Sequence, residues 1–133
     1  MRYIAFILGF ALLSIALWDA FEVIISPQRV TRRFRLAKVF YRSSWSLWSA
    51  TARLIGDADR RETFLGVFGP LSAVLLFAVW AAAIVAGFAL MHWGVATPLN
   101  VAPGTAPFST YVYMSGTTFF TLGLGDVTPM GAP

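Results

Sequence analysis

Thr121-Leu122-Gly123-Leu124-Gly125-Asp126 is the stretch of this chain whose residue types and spacing point to a chemistry. That chemistry is ligation of a dehydrated cation by backbone oxygen. Carbonyl oxygens that replace an ion's hydration shell must point the same way along a strand. Successive carbonyls do so only where alternate residues take unusual dihedrals, positive φ included, and glycine takes these at little steric cost. Gly123 and Gly125 hold alternate positions. Leu122 and Leu124 then turn away into a supporting cuff, and Thr121 can add its hydroxyl as a further oxygen ligand. Other chemistries fall away. The chain has no cysteine, so thiolate metal sites, disulfide frameworks and cysteine nucleophiles are excluded. The single His92 has too few partners for a zinc site. A dinucleotide fingerprint needs a third glycine where Thr128 stands, and a preceding strand. No nucleophile–base or carboxylate pair lies in a plausible site, so neither an enzyme nor a cofactor is expected.

The elements that must position this stretch are those of a membrane. Hydrophobic residues make up 58% of the 133, above the roughly 45–50% usual for soluble domains, and the mean hydropathy is +0.71. No Asp, Glu, Lys or Arg occurs from Thr63 to Gly125, whereas nine basic and two acidic residues fall between Gln28 and Arg61. The pI of 10.1 therefore reflects one basic segment. Its position between two apolar spans fits a cytoplasmic connection rather than a nucleic-acid surface.

Tyr3 to Ile25 is a first span of 23 residues, and about 20 suffice to cross the hydrocarbon. It is too long for a signal peptide and is followed by the more basic flank, so a retained helix is expected, ended by Pro27. Asp19 and Glu22 share one face of it. They are expected at the cytoplasmic headgroup level, paired with nearby arginines. Arg29, Arg32, Arg35 and Lys38 recur every third residue as in a voltage-sensing helix, but only one span precedes them. Interleaved Phe34, Phe40, Trp45 and Trp48 fit a helix lying on the inner leaflet instead. Arg29, Arg32, Arg33, Arg35, Lys38 and Arg42 would then meet anionic lipid headgroups. Asp57 to Glu62 reads as a solvated turn. A second span runs from Phe64 to Trp93, with regular helix from Gly69-Pro70 and His92-Trp93 at the far interface. Gly87 alone is not a packing motif. Gly94 to Pro107, with three prolines, is a loop. Phe108 to Phe120 is apolar, uncharged and 13 residues long, too short to cross, and fits a re-entrant half-helix. Irregular backbone following it at membrane depth must be buried in protein or line water.

Thr118-Phe119-Phe120-Thr121-Leu122-Gly123-Leu124-Gly125-Asp126, followed by Val127-Thr128-Pro129, resembles the pore signature of the potassium-channel family, Thr-x-x-Thr-x-Gly-x-Gly-Asp. The chain is similar to bacterial ion-transport-type two-helix pore domains with an extra N-terminal helix. The resemblance implies K+ at the carbonyls of Thr121, Leu122, Gly123 and Leu124, with Gly125 completing the filter. It implies that Asp126 stands behind the filter, hydrogen-bonded to Tyr113 or Thr117, and that Thr117, Thr118 and Tyr113 support it. It implies a homotetramer, since each subunit contributes one filter strand. Three positions depart from the family: Leu124 replaces the usual aromatic, Leu122 the usual Val or Ile, and Phe120 the threonine that often precedes Thr121.

The expected fold is thus an all-α membrane protein. It comprises an N-terminal transmembrane helix (1–27), a basic juxtamembrane segment (28–62) and a partial pore domain (63–133). The positive-inside rule puts 28–62 in the cytoplasm and the N-terminus outside, in the cell membrane. The expected function is a potassium channel subunit, with membrane lipids and its own copies as partners and no nucleic acid. No inner pore helix follows the filter within the 133 residues; one is expected beyond Pro133, and the chain is expected to be an N-terminal fragment. The alternatives are a non-selective monovalent cation channel, on account of Leu124, and a non-conducting regulatory membrane subunit.

Overall fold

The computed structural model describes residues 2–25, 36–101 and 106–131, and within these the chain is helical. In order, the helices are α1 (Arg2–Ile25), α2 (Leu36–Ala52), α3 (Ala58–Gly66), α4 (Phe68–Gly94) and α5 (Phe108–Phe119). Two of these segments are long and apolar enough to cross a membrane: one within α1, the other reaching through α4. Proline is missing from both except at Pro70, in the first turn of α4. Its absent N–H removes no helical bond there. Regular helix therefore starts at Phe68, slightly before Gly69-Pro70.

The chain divides into two compact units, Met1–Leu17 with Ala81–Pro133, and Trp18–Trp80. In the first unit, α1 and α4 approach through glycine. A Cβ on Gly9 would lie 2.6 Å from the Gly87 carbonyl oxygen, and one on Gly94 would lie 2.7 Å from the Phe6 nitrogen. Ala5 and Ala16 continue the buried small-residue row of α1, and Ala89 is buried on α4. Small residues let backbones meet where lipid offers no hydrophobic drive for association. Gly87 thus does serve packing, because Gly9 stands opposite it. Ala89 also belongs to a cluster with Leu99, Tyr111 and Met114 that seats α5.

In the second unit, Asp19 departs from expectation. It is 4% exposed, and its Oδ2 accepts from the Trp80 indole N–H at 2.9 Å and the Ala37 backbone N–H at 3.0 Å. The carboxylate thus answers two buried donors, one of them an orphan amide in the first turn of α2; the nearby arginines expected to pair with it lie outside the described residues. A negative group at a helix N-terminus also meets the positive end of its dipole. Glu22 accepts from Trp18 Nε1 at 2.8 Å. Ala37, Leu76 and Trp80 form the core here, with Ala20, Val23 and Phe40 against it. Trp48 stacks on Phe64 with centroids 4.2 Å apart and donates to the Phe64 carbonyl at 3.1 Å. Lys38 and Arg42 lie on the exposed side of α2 with Val39 and Leu47. Arg29, Arg32, Arg33 and Arg35 lie outside the described residues.

Asp57 to Glu62 is not a turn. Asp57 caps α3, its side chain accepting from the Asp59 N–H at 3.1 Å, and the next five residues begin the helix. An aspartate in extended conformation followed by residues free of proline and glycine is an N-cap signal. The run of charge masked it.

Candidate functional site

The Thr121–Asp126 stretch is held from three directions, all within the first unit. The first is α5. Pro107 precedes it in extended conformation, and its buried face is Tyr111, Met114 and Ser115. The helix ends at Phe120 in a Schellman motif: the Leu122 N–H reaches the Thr117 carbonyl at 2.9 Å, and the Thr121 N–H reaches the Thr118 carbonyl at 3.0 Å. Such a motif needs a left-handed residue between, ordinarily glycine. Here it is Thr121, at φ 55°. A β-branched side chain in that region is an outlier. Gly123 (φ 56°) and Gly125 (φ 72°) share the conformation. Positive φ therefore falls on alternate residues 121, 123 and 125, with Leu122 and Leu124 between them. The two glycines were expected to behave so; the threonine was not.

The second hold is Asp126. The Tyr113 hydroxyl donates to its Oδ2 at 2.7 Å, and the Val127 N–H donates to its Oδ1 at 3.0 Å. Of the two partners named from sequence, Tyr113 makes the bond. Thr117 does not: its hydroxyl and that of Thr118 both turn back to the Met114 carbonyl, at 3.0 and 2.8 Å. One turn earlier on the helix, Tyr113 has the reach to cross to the carboxylate. The bond raises the phenol's pKa above its ordinary value, with desolvation and the carboxylate's charge adding to it. The Thr121 hydroxyl donates to the Phe120 carbonyl at 2.7 Å, which leaves its own lone pairs unspent by that bond.

Sequence gave no sign of the third hold. Leu99 and Pro129 form an isolated antiparallel bridge. The Asn100 N–H donates to the Thr128 carbonyl at 3.1 Å, and the Met130 N–H to the Pro98 carbonyl at 2.8 Å. The Asn100 side-chain Oδ1 accepts from the Thr128 N–H at 2.7 Å. The loop is itself tied down. Tyr111 donates to the Thr97 carbonyl at 3.1 Å, and His92 Nδ1 meets Thr97 Oγ1 at 3.0 Å. The segments are too short for a strand pattern, and the pairing joins residues 28 apart.

The stretch itself is open. A Cβ on Gly123 or Gly125 would meet nothing within 4 Å, so these glycines serve conformation, not crowding. Leu122 and Leu124 are 62% and 60% exposed, and Phe119 and Phe120 are exposed beside them. Among the described residues no group of three or more His, Cys, Asp or Glu could hold a metal. The oxygens on offer are backbone carbonyls and the Thr121 hydroxyl.

No family model matches the chain, and no solved structure does. It is 31% identical over 91 residues to a protein of Bacillus subtilis (strain 168) named "Uncharacterized membrane protein YdjJ". The match covers 67% of this chain and 26% of the relative. The chain thus spans about a quarter of the length of the curated relative it matches. With two helices of spanning length and a relative so named, the chain is a membrane protein.

Proposed function

We propose that this chain supplies the outer helix, pore helix and filter strand of a potassium-selective channel subunit. The observation that carries the reading is the alternation of positive φ at Thr121, Gly123 and Gly125, directly after a 12-residue helix too short to cross a bilayer. Alternating hand lets successive carbonyls of Thr121, Leu122, Gly123 and Leu124 face one axis, where they replace the hydration shell of K+. The carbonyl end of α5 carries partial negative charge toward the cavity below. The Tyr113–Asp126 bond supports the strand from behind.

One strand cannot encircle an ion, so four copies surround the axis. The exposed run of Phe119, Phe120, Leu122 and Leu124 is then covered by neighbouring copies. The basic 28–62 segment faces the cytoplasm and the N-terminus lies outside. Lys38 and Arg42, exposed on α2 beside Val39 and Leu47, meet anionic headgroups at the inner leaflet. No covalent chemistry is involved; K+ is cargo.

Leu124 favours a second reading, a non-selective monovalent cation pore. At 60% exposure it offers no ring hydroxyl to brace the filter. Flux from the native gene product reconstituted in liposomes separates the two. Under a K+ gradient the potassium channel sets the vesicle potential near the K+ equilibrium value, and equimolar external Na+ does not collapse it. Collapse by Na+ identifies the non-selective pore.

A further inference from the structure

Behind α5 lies a half-open cavity of about 210 Å³, lined by Phe88 and His92 of α4 and by Met114, Ser115, Thr118 and Phe119, of which Phe88, Thr118 and Phe119 are exposed. Its walls are largely apolar, and three hydrogen-bonding side chains interrupt them: Ser115, Thr118 and His92. Ser115 is 7% exposed, and its hydroxyl has no hydrogen-bond partner among the described residues. Thr117 and Thr118 satisfy themselves on the Met114 carbonyl; Ser115, on the same helix, makes no such bond. His92 commits Nδ1 to Thr97, which leaves Nε2 as its other hydrogen-bonding atom. Buried polar groups are ordinarily satisfied, and an exception asks for a partner.

We propose that this cavity binds a small neutral molecule bearing one hydroxyl on an apolar body, the class of phenol and the medium-chain alcohols. The size fits, since a protein cavity of about 150 Å³ holds benzene. The polarity selects. A hydroxyl gives one donor and two acceptor lone pairs, which complements Ser115 and whichever tautomer His92 adopts. A hydrocarbon leaves the serine unsatisfied, and a carboxylate must bury a full charge between walls that hold no lysine or arginine. A molecule there braces the helix whose last turn leads into Thr121. The inference does not rest on the conduction reading, because binding is measured without flux.

The test uses the full chain in detergent micelles, with phenol, benzene and benzoate as probes and ligand-observed NMR as the readout. Partition into micelles is linear in concentration; a site saturates. Phenol is expected to saturate at least fivefold more tightly than benzene, with no saturable phase for benzoate. Ser115→Ala removes an unpartnered hydroxyl and should fold at least as well as the parent. In it, phenol weakens about five- to tenfold, the worth of one hydrogen bond, while benzene is unchanged. Equal affinity for phenol and benzene, an unaltered phenol affinity in Ser115→Ala, or the lack of any saturable phase overturns the proposal.

Discussion

At the scale of single residues, two kinds of glycine separate cleanly. Gly123 and Gly125 have empty space around them and positive φ; Gly9 and Gly94 would crowd a neighbouring backbone. Thr121 joins the first pair in conformation without being glycine. Strain at an outlier of this kind points to function when a plain residue would fit better. Thr121→Gly should therefore raise stability by about 1 kcal/mol through relief of left-handed strain, measured by denaturant titration in detergent. The same variant should lose preference for K+ over Na+ in flux. A Thr121→Gly variant that gains stability and keeps full selectivity would mean that the residue is only a cap. Tyr113 makes a second test. A phenol held above its ordinary pKa keeps its bond to Asp126 intact at neutral pH and loses it as pH rises through the raised value. Spectrophotometric titration should place Tyr113 above its position in Asp126→Asn. Tyr113→Phe should lower the K+ to Na+ permeability ratio with helix content unchanged. The alternate glycines were legible from residue types and spacing; a helix partner for Asp126 was implied only by the resemblance of the pore signature. The choice of Tyr113 over Thr117 was not legible, since it depends on reach across a turn.

At the scale of elements, the ties are polar and long in sequence. Asp19 binds Trp80 across 61 residues and answers the first turn of α2. Asp19→Ala strands two buried donors and should cost on the order of 3 kcal/mol. Trp80→Phe removes a donor but leaves Asp19 its bond to Ala37, so a loss of about 1 kcal/mol is expected. Unfolding in detergent reads both, and protease cleavage within α2 should quicken only for Asp19→Ala. Equal effects would mean that the carboxylate does not hold α2. The Asn100 clip makes the parallel case in the first unit. Asn100→Leu keeps the backbone pairing and deletes the side-chain acceptor, so hydrogen exchange at the Thr128 amide should speed about fivefold. Sequence periodicity showed where helices lie, because apolar runs and proline positions are local. It showed neither tie, because the partners share no local pattern. It also misread Asp57 to Glu62, where the density of charge resembled a loop although Asp57 is a helix cap.

At the scale of the whole molecule, the decisive quantity is the length of uncharged apolar sequence, and that much was readable without coordinates. Two helices are long and apolar enough to cross a membrane; a third, α5, is too short and is followed by irregular backbone. What composition could not reveal is how closely the spanning helices meet. Gly87 looked solitary until Gly9 appeared across from it. Gly9→Leu should destabilise the fold by about 1–3 kcal/mol through overpacking, whereas Gly56→Ala, in open space, should be close to neutral; unfolding in detergent compares them. The central claim is that Thr121 to Asp126 conducts K+, and the most direct measurement is ion flux from the native gene product in liposomes, beside its Gly123→Ala variant. K+ flux is expected to exceed Na+ flux in the parent and to be lost in the variant, whose added Cβ strains the left-handed position while meeting nothing within 4 Å in the chain. Flux that survives Gly123→Ala unchanged, or a parent that passes neither ion, would contradict it.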